Sequence, residues 1–403
     1  MVLSGNRLTA KVEIASSSAF LNTDRAWVEI NQAALYQNVK TIKQLLSPKT
    51  SLMAVVKADA YGHGAVTVAK TVLDAGGEAL AVATLQEGID LRLADIDAPI
   101  LVLGAINTIE EIEAFSRWDL EATLCSPQQA QVFAETLRKT GKTLPVHLKL
   151  DTGMSRLGVL WEEAVAFVSL IQQFQELEIK SIYSHLATAD ENEESFMWLQ
   201  KSRFDRAIER LKTSLNYTPP CLHLANSAGT LRDRSLHYDL VRVGLALYGL
   251  SPSPKFTSMP EGRSLRDIAP LEPVLQVKAR ITQIKDLPAG AGVSYGHKYI
   301  TDRPCRIAVV GIGYADGVPR NLSNRLQVLW KGQKLQQIGA ITMDQLMLDV
   351  TSCDNIQVGE IVTLIGKEGE QSLTADDWAQ QLGTISWEIL CGFKHRLPRL
   401  AKG

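Results

Sequence analysis

The sequence predicts an α/β chain: a (β/α)8 barrel of TIM type followed by a mainly β C-terminal domain. Three observations carry this. Between residues 51 and 244, short apolar runs rich in β-branched residues alternate with longer segments of helical period. The runs are apolar on both faces, as strands of a parallel sheet covered by helices must be. Beyond residue 262 the period changes to two, with Gly- and Pro-rich turns between the runs. Eight βα units over roughly 200 residues fit a closed barrel better than an open sheet.

Residues 1–23 read as a loose extension without the continuous apolar stretch of a signal peptide. The barrel is assigned to 24–262. Its strands are MAVVK (53–57), LAVAT (80–84), ILVLGA (100–105), EATLC (121–125), VHLKLD (146–151), SIYSHL (181–186), CLHLAN (221–226) and DLVRVG (239–244). Between them, segments such as QEGIDLRLAD and EESFMWLQKSRFDRAIERLKTS repeat apolar residues every three to four positions, as amphipathic helices do. Ser126-Pro127 is a helix start, with serine as N-cap and proline in the first turn. The pattern ends at LYGLSPSPKFTSMPEG (247–262), a Pro/Ser/Gly-rich linker. Residues 263–403 form the β domain, with runs VLQVKARITQI, RIAVVGIGYA, LQVLWKG, QLMLDV and EIVTLIG and one helix, LTADDWAQQLG, capped by Thr374.

Composition narrows the function classes. Hydrophobic residues at 45%, charged residues at 21% and a net charge of -2 give no bulk attraction to nucleic acid or membrane, so partners must be argued from sites. The five cysteines are scattered without C-x-x-C spacing, which disfavours a disulfide framework or structural zinc. No run approaches the ~18 apolar residues of a membrane span. The expected location is cytoplasmic.

In such a barrel the active site lies at the C-terminal ends of the strands. There this sequence places Lys57, Lys149, Asp151, His185, Asn226, Ser227 and Arg242, groups costly to bury together unless they are paired or serve a reaction. Lys57 is either a rim lysine with a solvated amine or a desolvated amine that forms a Schiff base. Asn226-Ser-Ala-Gly229 and the run from Arg242 to Gly249 follow strands seven and eight, where small residues let backbone N–H groups approach a phosphate. Each is otherwise an ordinary helix cap or turn. Combined with Lys57 they suggest a phosphorylated carbonyl cofactor, and pyridoxal phosphate needs such a lysine and such a nest.

The motifs AVVKADAYGHG (54–64), HLKLDTGMSRLG (147–158), SHLATAD (184–190), NSAG (226–229), VRVGLALYG (241–249), GVSYG (292–296), GYADG (313–317) and MDQ (343–345) together resemble the alanine racemases, in the family's order and in both domains. The resemblance spans residues 24 to about 400. It implies interconversion of L- and D-alanine for peptidoglycan, with pyridoxal 5'-phosphate held by Lys57 and its phosphate contacted by Tyr61, Ser227, Gly244 and Leu245. It implies that Arg242 faces the pyridine nitrogen, where a guanidinium cannot accept a proton and so weakens the ring as an electron sink. Lys57 would be the base on one face of Cα. Tyr295, from the β domain of a second subunit in a homodimer, would be the base on the other. A phenol of pKa ~10 needs help to act at neutral pH, and His185 and Arg242 are the matching neighbours. Arg156 and the backbone N–H of Met343 would hold the substrate carboxylate, and Tyr314 would narrow the entrance. Some members carry a carbamate at the lysine matching Lys149; the simpler alternative is a Lys149 to Asp151 contact.

Taken singly, His185 reads as a satisfied barrel histidine, Tyr295 as a turn aromatic and Arg156 as a loop charge. Trp387 stands where most members have tyrosine, and Thr342 where several have cysteine. The rival readings are a racemase of another small amino acid such as serine, a metal-dependent barrel hydrolase using His147, His185 and His223, and a non-catalytic pyridoxal phosphate carrier. The hydrolase reading lacks an H-x-H pair on the first strand, where His63 stands alone. The carrier reading leaves GVSYG and MDQ without a use.

Overall fold

The computed structural model describes residues 25–251, 271–393 and 395–403. The 1–23 extension and residues 252–262 of the linker lie outside the described residues.

The eight barrel strands are Ser51–Val55, Ala79–Val82, Ile100–Val102, Glu121–Leu124, Leu144–Asp151, Leu177–Tyr183, Leu222–His223 and Leu240–Val243. They pair in parallel and in chain order, and the eighth returns to the first with Arg242 opposite Met53. Between strands seven and eight the ring is nearly closed by two backbone bonds, Arg242 N–H to the Ala225 carbonyl and Asp239 N–H to the Leu222 carbonyl, each 3.0 Å. A short strand, Val159–Leu160, lies beside the end of the fifth. Residues facing the helices, such as Leu52, Leu80, Val102, Leu148 and Ile182, are fully buried, which explains the continuous apolar runs. Helix starts follow the expected chemistry: Ser126 accepts from Gln129 N–H (3.1 Å) at the head of Pro127–Arg138.

The first strand of the chain departs from the expected division. Ala26–Asn31, assigned with the barrel, instead joins the β domain, antiparallel to Leu275–Leu287 with Val28 opposite Val277, and parallel to Arg399–Lys402. Periodicity identifies a strand without saying which sheet it joins. Here Glu29 is paired with Lys278 at 2.8 Å and Trp27 lies under the Arg280 guanidinium.

Leu275–Leu287 pairs with Cys305–Val310 through its second half and with Ile361–Glu368 through its first, so six antiparallel strands curl into a ring. The predicted helix is present as Ala375–Leu382, where Thr374 and Asp377 form a reciprocal cap. A second helix, Ser386–Gly392, runs back to the barrel mouth, where the Leu390 carbonyl would meet a Cβ on Gly62 at 2.5 Å. All five cysteines are unpaired. Among the described residues no helix is long and apolar enough to cross a membrane.

Candidate active site

Lys57 follows the first barrel strand directly, and the chain then makes a left-handed turn: Ala58, Asp59, Ala60 and Tyr61 have φ of 53°, 53°, 53° and 56°. Left-handed conformation costs a non-glycine residue about 1–2 kcal/mol, so the surroundings must hold the turn. They do so through side chains. Glu87 accepts from Ala58 N–H (2.7 Å), Asp59 accepts from Ala65 N–H (2.7 Å), and His63 Nδ1 donates to the Ala60 carbonyl (2.9 Å). Burial pushes the His63 pKa down to about 4, so the ring is a neutral fixture. The turn aims Lys57 and Tyr61 into one cleft of about 650 Å3 at the barrel mouth.

That cleft gathers Lys57, Tyr61, Lys149, Arg156, His185, Ser227, Arg242, Gly244 and Leu245. Burial, followed by repulsion from Arg156, lowers the Lys57 pKa and favours a neutral amine. Lys149 is lowered to about 8 by burial and then by Arg242. It makes no ion pair with a described carboxylate; the Asp151 carboxylate instead accepts from Gly153 and Ser155 N–H at 2.8 and 3.1 Å. The Lys149 to Asp151 contact, offered as the simpler alternative to a carbamate, is not among the described contacts, and Asp151 instead closes its own loop turn.

Arg242 is buried, and burial lowers its pKa to about 10. Its Nη2 donates to the Ser184 and Leu224 carbonyls (2.7 and 3.1 Å) and to His185 Nδ1 (3.2 Å), and its Nη1 donates to His223 Nδ1 (2.8 Å). Since a guanidinium only donates, His185 Nδ1 is an acceptor and its proton sits on Nε2. Burial, then Arg242, holds His185 well below the ordinary histidine range. Tyr183 lies beneath this group, its ring stacked on His223 at 4.6 Å and 5.1 Å from the Arg242 guanidinium.

A cradle for an anionic group lies on the opposite wall. Ser227 Oγ accepts from Gly244 N–H (3.0 Å) and Ala246 N–H (3.4 Å), which brings the ends of strands seven and eight together. At the heads of the turns Ser227–Arg232 and Leu245–Tyr248, Gly229 N–H is capped by Asn226 Oδ1 (3.0 Å) and Ala246 N–H by Ser227, while the first N–H of each turn, on Ser227 and Leu245, has no partner within its turn. A Cβ on Gly244 would lie 2.7 Å from Tyr61 Oη, so only glycine lets the phenol reach this wall.

Three expected site residues do not line this cleft. Tyr295 stands on the β domain, 71% exposed, in a separate hollow of about 620 Å3. Its loop is held by Ser294 Oγ–H to the Ala340 carbonyl (2.7 Å). Tyr314 and Met343 are neighbours: Tyr314 N–H donates to the Thr342 carbonyl (2.9 Å) and Ala315 N–H to the Met343 carbonyl (3.0 Å). Both side chains are exposed.

Asp190, Tyr183 and Cys391 line the cleft without having been singled out. Period two along 181, 183 and 185 could have found Tyr183; nothing local marks Cys391, which arrives from the far end of the chain. The hydrolase reading loses its ligands, because His147 and His223 have both ring nitrogens engaged by Glu121, Ser181 and Arg242.

Residues 30–252 match the family described as alanine racemase, N-terminal domain, and residues 274–401 match alanine racemase, C-terminal domain. The chain belongs to the alanine racemase family. It is 60% identical over 376 residues to an alanine racemase of Synechocystis sp., covering 93% of this chain and 98% of that protein. An alanine racemase of Nostoc sp. is 58% identical, with 94% and 96% covered. The crystal structure of alanine racemase from Bacillus anthracis with bound L-Ala-P has a TM-score of 0.87 and 36% identity, covering 94% of this chain and 95% of that one. Of the two departures from the family pattern, Trp387 stands in the cleft wall. Thr342 closes the MDQ turn, its Oγ1 donating to the Gln345 carbonyl (2.9 Å) and accepting from Gln345 N–H (3.1 Å).

Proposed function

We propose that Lys57 and Tyr295 are the two acid/base groups of this enzyme and that pyridoxal 5'-phosphate is its cofactor. The chain is an isomerase of the alanine racemase family and interconverts L- and D-alanine, the D-isomer serving peptidoglycan. The observation that carries the assignment is one cleft holding a lysine biased toward its neutral amine opposite a glycine-and-serine cradle that a Cβ would block.

The residues present fit the cofactor. Lys57 would hold its carbonyl carbon, while Tyr61, the Ser227 hydroxyl, the backbone at Gly244 and the N–H of Leu245 would surround its phosphate. When bound, it supplies an electron-accepting ring that acidifies the Cα–H of an attached amino acid.

Lys57 then works as the base on one face. Its Nζ, already disfavoured as a cation, accepts the Cα proton and returns it on the reverse passage. Tyr295 works on the other face, where the His185 Nε2–H can hold its oxygen as it gives up a proton. Arg242 offers only donors to a ring nitrogen, which restrains full electron withdrawal and with it transamination. Arg156 and Met343 N–H orient the substrate carboxylate, and Tyr314 limits the size of what enters.

Because Tyr295 is exposed and lies outside the cleft of its own chain, the second base is best supplied by a second copy, as a homodimer with shared sites would do. Lys149, with a pKa of about 8 among cations, has the reactivity to take up carbon dioxide as a carbamate that would pair with Arg156.

The test is a pair of variants. Lys57→Ala should lose the borohydride-reducible visible absorbance. Tyr295→Phe should keep it and lose racemisation by roughly 100-fold or more. Equal mixing of the two inactive dimers, with subunit exchange, should restore about a quarter of wild-type activity, since half the dimers are hybrids with one intact site. Wild-type rates in Tyr295→Phe would refute the two-base assignment, and no restoration on mixing would refute the shared site. A panel including D-serine and other small amino acids fixes the substrate range.

A further inference from the structure

Behind Arg242 a line of hydrogen bonds crosses the barrel interior, taking one side chain from each of strands four to eight. Arg242 Nη1 lies 2.8 Å from His223 Nδ1, His223 Nε2 lies 2.7 Å from Ser181 Oγ, Ser181 Oγ lies 2.6 Å from His147 Nδ1, and His147 Nε2 lies 2.9 Å from Glu121 Oε2. Ser181, His147 and His223 are buried, and Glu121 is partly exposed at the start of the fourth strand.

For two neutral imidazoles, the chemistry at the two ends permits a single placement of protons. A guanidinium has donors only, so His223 Nδ1 must accept, and a neutral imidazole then carries its proton on Nε2. That N–H donates to Ser181 Oγ. The Ser181 hydroxyl has no other acceptor among its hydrogen bonds, so its proton goes to His147 Nδ1. His147 then carries its proton on Nε2 and donates to Glu121, a carboxylate that can only accept. The opposite direction would require His223 without a proton on either nitrogen. Two further facts agree with this reading. Burial and then Arg242 hold His223 well below the ordinary histidine range. Burial raises the Glu121 pKa, but the bond from His147 and the nearby cations together outweigh it, so the net shift is downward and favours the carboxylate.

We propose that Glu121, His147, Ser181 and His223 form a one-way hydrogen-bond chain that positions Arg242. The chain keeps a lone pair of His223 aimed at the guanidinium, with Tyr183 stacked on that ring. Both Nη atoms are engaged by protein acceptors, and Arg242 Nε, which takes part in none of the described hydrogen bonds, is left as the donor for the cofactor. The inference rests on the reading that Arg242 faces the cofactor's ring nitrogen. It extends control of that contact to a carboxylate at the far end of the barrel.

The test uses the holoenzyme with ring-labelled histidine, Ser181→Ala to cut the chain, Glu121→Leu to remove its terminus, and Glu121→Gln, whose amide oxygen still accepts, as the conservative control. Nitrogen NMR should find the proton of the chain on Nε2 in both His147 and His223; an Nδ1–H on either ring overturns the chain. Ser181→Ala should lower kcat about tenfold with KM within twofold, and raise about tenfold the fraction of turnovers that end in transamination, read as loss of the visible band. Glu121→Leu should move both quantities the same way, and Glu121→Gln should leave them within twofold of wild type. A variant that only loosened the fold would lower the melting temperature without moving the partition, and that result overturns the proposal. If Arg242→Lys changes the spectrum and partition while Ser181→Ala matches wild type, the chain alone is refuted. If Arg242→Lys also matches wild type, the placement of Arg242 at the cofactor falls, and the chain's role with it.

Discussion

Gly244→Ala is the smallest change that should separate cofactor affinity from fold stability. The new Cβ would lie 2.7 Å from Tyr61 Oη and 3.2 Å from its Cζ, whereas ordinary contacts begin near 3.4 Å, so the phenol must retreat by about 0.7 Å. It has little room to do so. Its ring is tilted against Tyr248 at 5.2 Å, and the next residue, Gly62, sits against the Leu390 carbonyl. The backbone at Gly244 has a negative φ of -119°, so the change brings no left-handed strain and the Tyr61 contact is its main cost. Loss of one hydrogen bond to a charged phosphate is worth about 1.5–3 kcal/mol, or roughly 10- to 100-fold in the dissociation constant of pyridoxal phosphate. Absorbance titration of the apoprotein measures this, alongside the apoprotein's melting temperature, which should stay within about 2 °C. Because the damage runs through the Tyr61 hydroxyl, Gly244→Ala combined with Tyr61→Phe should bind no worse than Tyr61→Phe alone. Wild-type affinity in Gly244→Ala, or additive losses in the double variant, would refute the contact between Tyr61 and the phosphate.

Three more outcomes follow from the geometry. Lys149 has its pKa lowered from 10.5 to about 8, so between those values the unfolded chain holds a proton that the folded one has released, and stability should rise with pH across that window in carbon-dioxide-free buffer. Lys149→Met should abolish this rise in denaturant titrations and gain on the order of 1–3 kcal/mol near pH 7. Gly62→Ala should destabilise by about 3 kcal/mol or more, since the residue has φ of +82° and its Cβ would meet the Leu390 carbonyl at 2.5 Å; chemical denaturation checks it. Asp316→Asn should cost about 2–4 kcal/mol, because this fully buried carboxylate takes two bonds from Arg25 and a contact from Arg396, and the same measurement applies.

The sequence made the barrel legible because its strands are buried on both faces, so that eight apolar runs stand out against amphipathic helices. The β domain was legible through the change of period. What escaped depends on contacts between distant segments. AWVEIN reads as a strand anywhere, and only the register with Leu275–Leu287 and Arg399–Lys402 places it. The left-handed turn at Ala58–Tyr61 has no local signal, since alanine and aspartate there suggest an ordinary helix; it is held by Glu87 and by the helix Ser386–Gly392 packed against it. The candidate site was legible where residue types are chemically demanding, at Lys57, Arg242 and the small residues near Ser227 and Gly244. The roles of Ser181 and Glu121 were not, because a serine and a glutamate on separate strands acquire meaning only when two histidines stand between them.

The charge balance of the cleft ties these features together. Lys57, Lys149, Arg156 and Arg242 share one cavity, and Lys57, Lys149 and His185 are each pushed toward their neutral forms, first by burial and then by cations beside them. Asp190 is the one acidic side chain among the lining residues, and burial raises its pKa. Such a cavity repels itself when empty and is relieved by anions. A phosphate and a substrate carboxylate are the two anions the proposed reaction brings, one to the Ser227 and Gly244 wall and one to Arg156. Such anions would raise the Lys57 pKa and with it the strength of the amine as a base, while burial and the neighbouring cations alone favour its neutral, nucleophilic form. Under the proposed reaction one lysine would be nucleophile and base in turn, because the charges that set its pKa would differ between the two stages.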